Sequence, residues 1–324
     1  ATVARHWPGA EGVTLDPIDA APWLWRARWP VPEPLPRVGV LIPTRDRVDL
    51  LETTVESLLA RTDYPRLEPT ILDNGSTCPD TLSYLAGLRE RGVRILDCAG
   101  PFNFAAINNR GVAETDAELV CLLNNDVEIT SPDWLAEMVA LLARPDTGVV
   151  GAKLLWPNGM VQHGGVVLGV DEGAMHVGNG WAAEDAGYCG ANLVTRRWSC
   201  VTAACMLLRR ADYVTVGGMD AARFPVNFND VDLCFRLGAR GLASVWSAAA
   251  TLVHHESASR GAGQNARDVA RTRREIANLR ARWANVILRD PFYNPNLNRD
   301  EAPFEGLALP PAWARGVEAT ARLG

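Results

Sequence analysis

Apolar residues along this chain gather into short blocks, and the spacing inside each block predicts the elements. Val38-Gly-Val-Leu-Ile42 reads as a buried strand running into Pro43-Thr-Arg-Asp-Arg47, and Leu51, Val55, Leu58 and Leu59 then recur at helical spacing. Pro69-Thr-Ile-Leu72 predicts a second strand. A helix carrying Leu82, Leu85 and Leu88 stops near Gly92, and Val93 to Leu96 gives a third strand. Phe102 to Val112 reads as loop and helix. It delivers the chain to Leu119-Val-Cys-Leu-Leu123, an apolar run too short for a membrane span, which breaks off at Asn124-Asn125-Asp126. Ser131-Pro-Asp-Trp134 predicts a capped helix start, with Leu135, Met138, Leu141 and Leu142 as its stripe, and Val149 to Ala152 another strand.

The pattern then changes. From Lys153 to about Arg197 it is glycine-rich and irregular, with Trp156, His163, His176, Trp181 and Trp198 scattered through it, which suggests loops and antiparallel ribbons framing a pocket. Val201 to Leu208 is strand-like. Asn229-Asp230 opens a helix through Leu237, Ala243–Trp246 and Thr251–Val253 are short strands, and Asn265 to Leu288 is a helix before a Pro- and Asn-rich end. Residues 1–37 form an extension in which Leu24 to Trp29 predict an edge strand. Trp23, Trp25 and Trp29 there could meet sugar faces, but packing is the expected use. Strands alternating with helices imply an α/β fold: a mostly parallel sheet covered on both faces, with an antiparallel region and a C-terminal helical tail. The expected division is 1–37, 38–261 and 262–324.

Composition narrows the class. The 324 residues suffice for a sizeable core, and 48% hydrophobic with 22% charged residues is ordinary globular composition. A formal net charge of −6 and the lack of basic runs argue against nucleic-acid partners. Seven cysteines without a Cys-x-x-Cys pair read as buried thiols in a reducing cytoplasm. Ala1, rather than Met, stands first, so the chain reads as trimmed or as part of a longer multidomain protein.

Three strand ends in succession carry polar residues: Thr44 and Arg45, Asp73, and Asp126. In open α/β sheets the crevice beyond such ends takes ligands. Asn124 and Asp126 offer the hard oxygens that Mg²⁺ and Mn²⁺ prefer, although an Asn-Asn-Asp tripeptide can equally be a turn. Asp230 and Asp232 are two apart on a helix and cannot share a face.

With these residues in order, the chain resembles the family 2 glycosyltransferases of GT-A fold, in particular their bacterial rhamnosyltransferase and O-antigen or capsule branch. The likeness rests on Ile42-Pro-Thr-Arg-Asp46, Leu72-Asp-Asn-Gly-Ser76, Phe102-Asn-Phe-Ala-Ala-Ile-Asn-Asn109 and Leu123-Asn-Asn-Asp-Val-Glu128. It continues in Gln162-His-Gly-Gly165, Val201-Thr-Ala-Ala-Cys-Met206, Asn229-Asp-Val-Asp-Leu-Cys234, His254-His-Glu-Ser257 and Ser259-Arg-Gly261. The resemblance implies an inverting transferase using a UDP- or dTDP-linked sugar and a divalent metal, Mn²⁺ or Mg²⁺. It implies that Pro43, Thr44, Arg45, Asp73, Asn103, Asn108, Asn124 and Asn125 hold the nucleotide-sugar and that Arg260 closes over the diphosphate. Asp126 and His254 would bind the metal, with His255 as the competitor for the latter role, and Asp230 would be the general base. Trp156, Trp181, Trp198 and Asp232 would face the acceptor, a glycan or lipid-linked glycan. Asn124 departs from the family's acidic residue at that position, which removes a charge from the metal site. The implied location is the cytoplasm or, peripherally, the cytoplasmic face of the inner membrane. A sugar nucleotidyltransferase would want a glycine-rich basic loop near the first strand, which is missing; a degenerate domain kept for glycan binding is the other alternative.

Overall fold

The computed structural model describes residues 10–170, 173–256, 266–299 and 303–309. Its first element is a separate ribbon of β1 (Thr14–Ile18) and β2 (Ala21–Arg28), paired antiparallel. Leu15 opposes Ala27 and Pro17 opposes Trp25, and paired residues share a face. The opposite face reaches the body of the protein through Arg26, whose Nη2 donates to Glu137 Oε2 at 2.8 Å. Trp23 and Trp25 are therefore turned outward, 67% and 55% exposed, against the expectation that they pack. Trp29 does pack, beside Val31 and Leu35 on the main core, with the Arg144 guanidinium 4.5 Å above its ring.

The main sheet has ten strands. β3 (Val38–Thr44), β4 (Leu67–Asp73), β5 (Arg94–Asp97) and β6 (Leu119–Leu123) are parallel, in the order β5-β4-β3-β6. Helices α1 (Val48–Arg61), α2 (Pro79–Glu90) and α3 (Phe104–Glu114) connect them. Alternation along each strand assigns side chains to two cores. Val38, Val40 and Ile42 of β3 and Leu119, Cys121 and Leu123 of β6 join α1 and α2 on one face. Leu41, Val120 and Leu122 join α3 on the other. α3 lies so close that a Cβ on Gly111 would meet Leu72 Cδ1 at 2.8 Å. Leu59 and Leu82, counted on the apolar stripes, sit at their edges and are 38% and 46% exposed.

After β6 come β7 (Val127–Ile129), α4 (Trp134–Leu142), β8 (Thr147–Leu155), β9 (Val161–His163), β10 (Val166–Val170), β11 (Gly173–His176) and β12 (Arg196–Trp198). β13 (Cys205–Arg209), α5 (Arg210–Thr215), α6 (Asn229–Gly238), β14 (Ala243–His254) and α7 (Ala266–Leu288) follow. β13 inserts antiparallel between β6 and β8, and β14 runs parallel to β8. The two strands expected over residues 243–253 are one, with a register shift between Ser247 and Thr251. Val201 to Ala204 lie outside β13. Ser131 does not cap α4: its Oγ donates to Thr251 O. Leu279, Ile287, Tyr293 and Leu297 belong to the same core as α3 and α6, so the C-terminal segment shares the core of residues 38–261. Five of the seven free cysteines are buried as expected; Cys189 is exposed and Cys78 half-buried. No helix among the described residues is long and apolar enough to cross a membrane.

Candidate active site

The carboxyl ends of β3 and β6 open into a cavity of about 580 Å³. Pro43, Thr44, Arg45, Asn124, Asn125 and Asp126 line it from the sheet, and Asp230 and His254 line it from α6 and β14. The chain places these eight together because parallel strands put their ends in one row and β14 brings His254 alongside β7.

Local hydrogen bonds set the wall formed by the sheet. Asn125 Nδ2 donates to Thr44 Oγ1 at 3.0 Å. Asp46 N donates to Ser76 Oγ at 2.9 Å, and Ser76 donates through N and Oγ to Asp73 Oδ1 at 2.9 and 2.6 Å. Asp46 Oδ1 accepts from Thr77 N and Cys78 N, which hold its carboxyl below the usual range, the Cys78 bond contributing most. Asp73 thus holds Ser76, which with Asp46 ties the loop after β4 to the loop after β3, and Asn74 borders the cavity in its place.

At the end of β14, His254 Nδ1 lies 2.6 Å from Gln162 Oε1, and Gln162 Nε2 donates to Glu256 Oε2 at 3.2 Å. With the amide oriented that way, its oxygen accepts the His254 Nδ1 proton and turns Nε2 toward Asp126 Oδ1, 3.0 Å away. A nitrogen and a carboxylate oxygen side by side are ligand atoms for a cation, and neighbouring corners of an octahedral shell with bonds of about 2.1 Å are about 3 Å apart. Gln162 is the kind of outer partner that fixes a ligating imidazole. The residues present therefore fit a divalent metal. Among the described residues no three His, Cys, Asp or Glu side chains are grouped to hold one alone, so other oxygens would have to complete the shell. Asn124 Nδ2 lies 3.5 Å from His254 Nε2. His255 turns away, its Nε2 3.2 Å from Glu128 Oε2, so His254 is the histidine that reaches Asp126.

Asp230 stands in the first turn of α6. Its Oδ2 accepts from Ala203 N at 3.0 Å and its Oδ1 from Val231 N at 2.8 Å. His176 shares the cavity wall; its Nδ1 lies 3.3 Å from Gln162 O and its ring packs edge-on against buried His163 at 4.7 Å. Burial holds both imidazoles below their ordinary pKa. Arg47 and Phe228, also on the wall, hold left-handed backbone at φ 53° and 60°. Such conformations cost a side chain about 1–2 kcal/mol and cluster at functional sites.

Several expected residues lie elsewhere. Asn103 caps α3, its Oδ1 accepting from Ala106 N while Nδ2 donates to Ala221 O. Asn108 is fully buried and donates to Phe104 O. Trp198 is 1% exposed and fits against Gly165, where a Cβ would lie 2.0 Å from the indole. Trp156 and Trp181 are half-buried and outside the cavity lining, Trp156 donating to Asn179 Oδ1 and Trp181 packing on Gly178 and Gly187. Asp232 is 0% exposed and turns from the cavity toward α7, bound by Arg236 Nε, Arg282 Nη1 and Trp283 Nε1. Arg260 lies outside the described residues. Asn74, Gln162 and Glu256 were visible only as members of motifs, His176 only as one of the residues of the glycine-rich region, and Phe228 carried no signal beyond its residue type.

The sequence profile described as glycosyl transferase family 2 matches residues 39–214, over half of the chain and including β3 to β13. The chain belongs to glycosyl transferase family 2. It is 43% identical over 310 residues to the protein y4gI of Sinorhizobium fredii, and 41% identical over 290 residues to the O-antigen biosynthesis protein RfbC of Myxococcus xanthus. Those matches cover 95% and 89% of the chain but 33% and 22% of the relatives, so the chain spans a third or less of their length. An N-acetylglucosaminyl-diphospho-decaprenol L-rhamnosyltransferase of Mycobacterium tuberculosis is 29% identical over 229 residues, covering 65% of the chain and 73% of that protein. These names agree with the expected rhamnosyltransferase and O-antigen branch. The fold is the expected GT-A: a mannosyltransferase of Pyrobaculum calidifontis, solved with GDP-Man and Mn²⁺, superposes with a TM-score of 0.52 at 18% identity, over 91% of this chain and 84% of that one.

Proposed function

We propose that this domain is an inverting glycosyltransferase that moves a sugar from a UDP- or dTDP-linked donor to a hydroxyl of a growing bacterial surface glycan. The observation that carries the reading is the gathering of Asp126, His254 and Asp230 in one cavity at the strand ends. Thr44, Arg45, Asn74, Asn124 and Asn125 would bind and orient the nucleotide-sugar, and Asp126 and His254 would hold Mn²⁺ or Mg²⁺. Bound there, the metal would offset the charge of the departing diphosphate. Asp230 would accept the proton of the acceptor hydroxyl as that oxygen bonds to the anomeric carbon from the face opposite the leaving diphosphate, inverting the centre. The two backbone N–H groups on Asp230 fix its carboxylate for that task.

Asp230→Asn keeps the size and removes the basicity. Transfer should fall by about 10²–10⁴-fold, the usual share of a general base, while donor affinity measured by calorimetry with Mn²⁺ stays unchanged. Full activity in Asp230→Asn would remove the base assignment. Failure of both UDP and dTDP to bind or to raise the melting temperature would remove the donor assignment.

A further inference from the structure

Side chains of α7 at the spacing of one helical face reach back to the segment that leads into α6 and to the first turn of α6 itself. Asn278 Nδ2 donates to Arg223 O at 3.0 Å, Arg282 Nη1 approaches Asp220 and Asp232 at 3.3 and 3.1 Å, and Trp283 Nε1 donates to Asp232 at 2.9 Å. The centre of this seam is Glu275, a carboxylate with 0% exposure. Its Oε1 accepts from Val226 N at 2.9 Å and Asn227 N at 3.2 Å, and its Oε2 accepts from Asn227 Nδ2 at 2.6 Å.

The gripped residues matter because they run directly into Asp230. Val226, Asn227, Phe228, Asn229 and Asp230 are consecutive, and all five line the cavity. Phe228 holds its left-handed conformation as the N-cap of α6, with no side-chain cap bond to fix the helix start. Asn229 Nδ2 turns back to Val226 O at 2.9 Å. Beyond that local bond, the turn is shaped from outside, by a carboxylate far along the chain that satisfies three donors at once. A buried charge is a costly way to fill space, and an apolar side chain would pack there more cheaply. Its use here makes sense as a means of holding backbone.

We propose that Glu275 is a positioning residue for the acceptor step: it holds the Val226–Phe228 turn in the shape that aims Asp230 into the cavity, without touching substrate. The proposal rests on Asp230 being the general base. The experiment compares Glu275→Ala and Glu275→Gln, each alone and combined with Asp230→Asn, by transfer kcat, donor affinity with Mn²⁺, and melting temperature, with assays run well below the melt. Glu275→Ala should lower kcat by about 10–100-fold, since displacement of a reacting group by about 1 Å can cost about 10²-fold, and donor affinity should hold. Glu275→Gln keeps an oxygen for the two backbone N–H groups and should recover most of that loss. In the Asp230→Asn background, Glu275→Ala should add little, because residues acting through one group are not additive. Wild-type kcat in Glu275→Ala overturns the proposal, as does Gln no better than Ala. So does an equal loss with and without Asp230, or donor affinity falling in step with kcat. Should Asp230→Asn alone remain fully active, the base reading fails first, and the positioning role falls with it.

Discussion

The two walls of the cavity are built on different principles. The wall made by the ends of β3, β4 and β6 is carried by the sheet, and its polar contacts join loops of neighbouring strands: Asn125 to Thr44, Asp46 to Thr77 and Cys78, and Asp46 N to Ser76. The wall formed by residues 162–204 and 226–231 is assembled from short ribbons, the start of α6 and irregular stretches such as Thr202–Ala204 and Val226–Phe228. Buried polar side chains hold the irregular stretches: Lys153 Nζ donates to Ala183 O and Asn192 O, His163 Nε2 accepts from Thr202 N, and Glu275 grips Val226 and Asn227. Damage to the first wall should stay local. The second should respond to substitutions far from it in sequence, because each buried group fixes a stretch of backbone that has no ladder of its own.

The sharpest break in that comparison is Asp126→Ala. If the first wall acts locally, the substitution should abolish Mn²⁺-dependent binding of the diphosphate and lower transfer by about 10³-fold, a loss of several kcal/mol, with the melting temperature near that of wild type. Chelation should reproduce the loss. A collapse of the melt together with binding would show that the two walls are one unit.

Asp232→Ala tests the second wall through stability. Read as a helix-start charge, Asp232 would contribute under about 1 kcal/mol. Itself fully buried against Arg236, Arg282 and Trp283, it should cost about 3 kcal/mol when removed, because half-buried Arg236 and the Trp283 N–H lose their partner. Denaturant unfolding measures this, and a loss below about 1 kcal/mol would return Asp232 to the simpler role.

The smallest effect separates the walls by pH. His163 and His176 are held below the ordinary imidazole range by burial, so as pH falls through about 6.5 the unfolded chain takes up protons that the folded chain refuses, and stability falls. Asp46 is depressed by its backbone donors. Its contribution is complete above the unfolded value near 4 and is lost only as pH drops through its lower folded value. Between about pH 6 and 4.5, then, acid should act on the second wall through its histidines while Asp46 holds. Melting temperature against pH for wild type and His163→Gln tests it, the variant showing a shallower slope; identical slopes would clear His163.

The same contrast explains what could be read from the residues. β3 and β6 announce themselves as apolar blocks ending in polar residues, and Pro43 to Arg45 and Asn124 to Asp126 lie where such ends converge. Asp230 and His254 came through the order of motifs, which encodes a fold that periodicity alone does not. Asp73, Asn103 and Asn108 lie off the cavity lining, and an Asp or Asn near a strand end or helix start can serve backbone as readily as a ligand; here each bonds backbone. The tryptophans misled in both directions: Trp23 and Trp25 are exposed and Trp198 is buried, since ring size says nothing about which face a neighbour covers. Glu275 was invisible because its meaning depends on a turn 48 residues earlier.

β13 sits between β6 and β8, hydrogen-bonded to both. Residues 119–123 and 147–155 are therefore complete strands that cannot close against each other until residues 205–209 arrive. During synthesis the four parallel strands can assemble first, with β6 left as an open edge. Such an edge invites pairing with another chain, and its closure by a strand about 85 residues later makes long-range insertion, rather than the parallel half, the slow event in folding. A chain released before residue 205 would carry the polar ends of β3, β4 and β6 intact and yet have no seam to join the halves. Its fate would be association with other chains rather than a smaller stable domain.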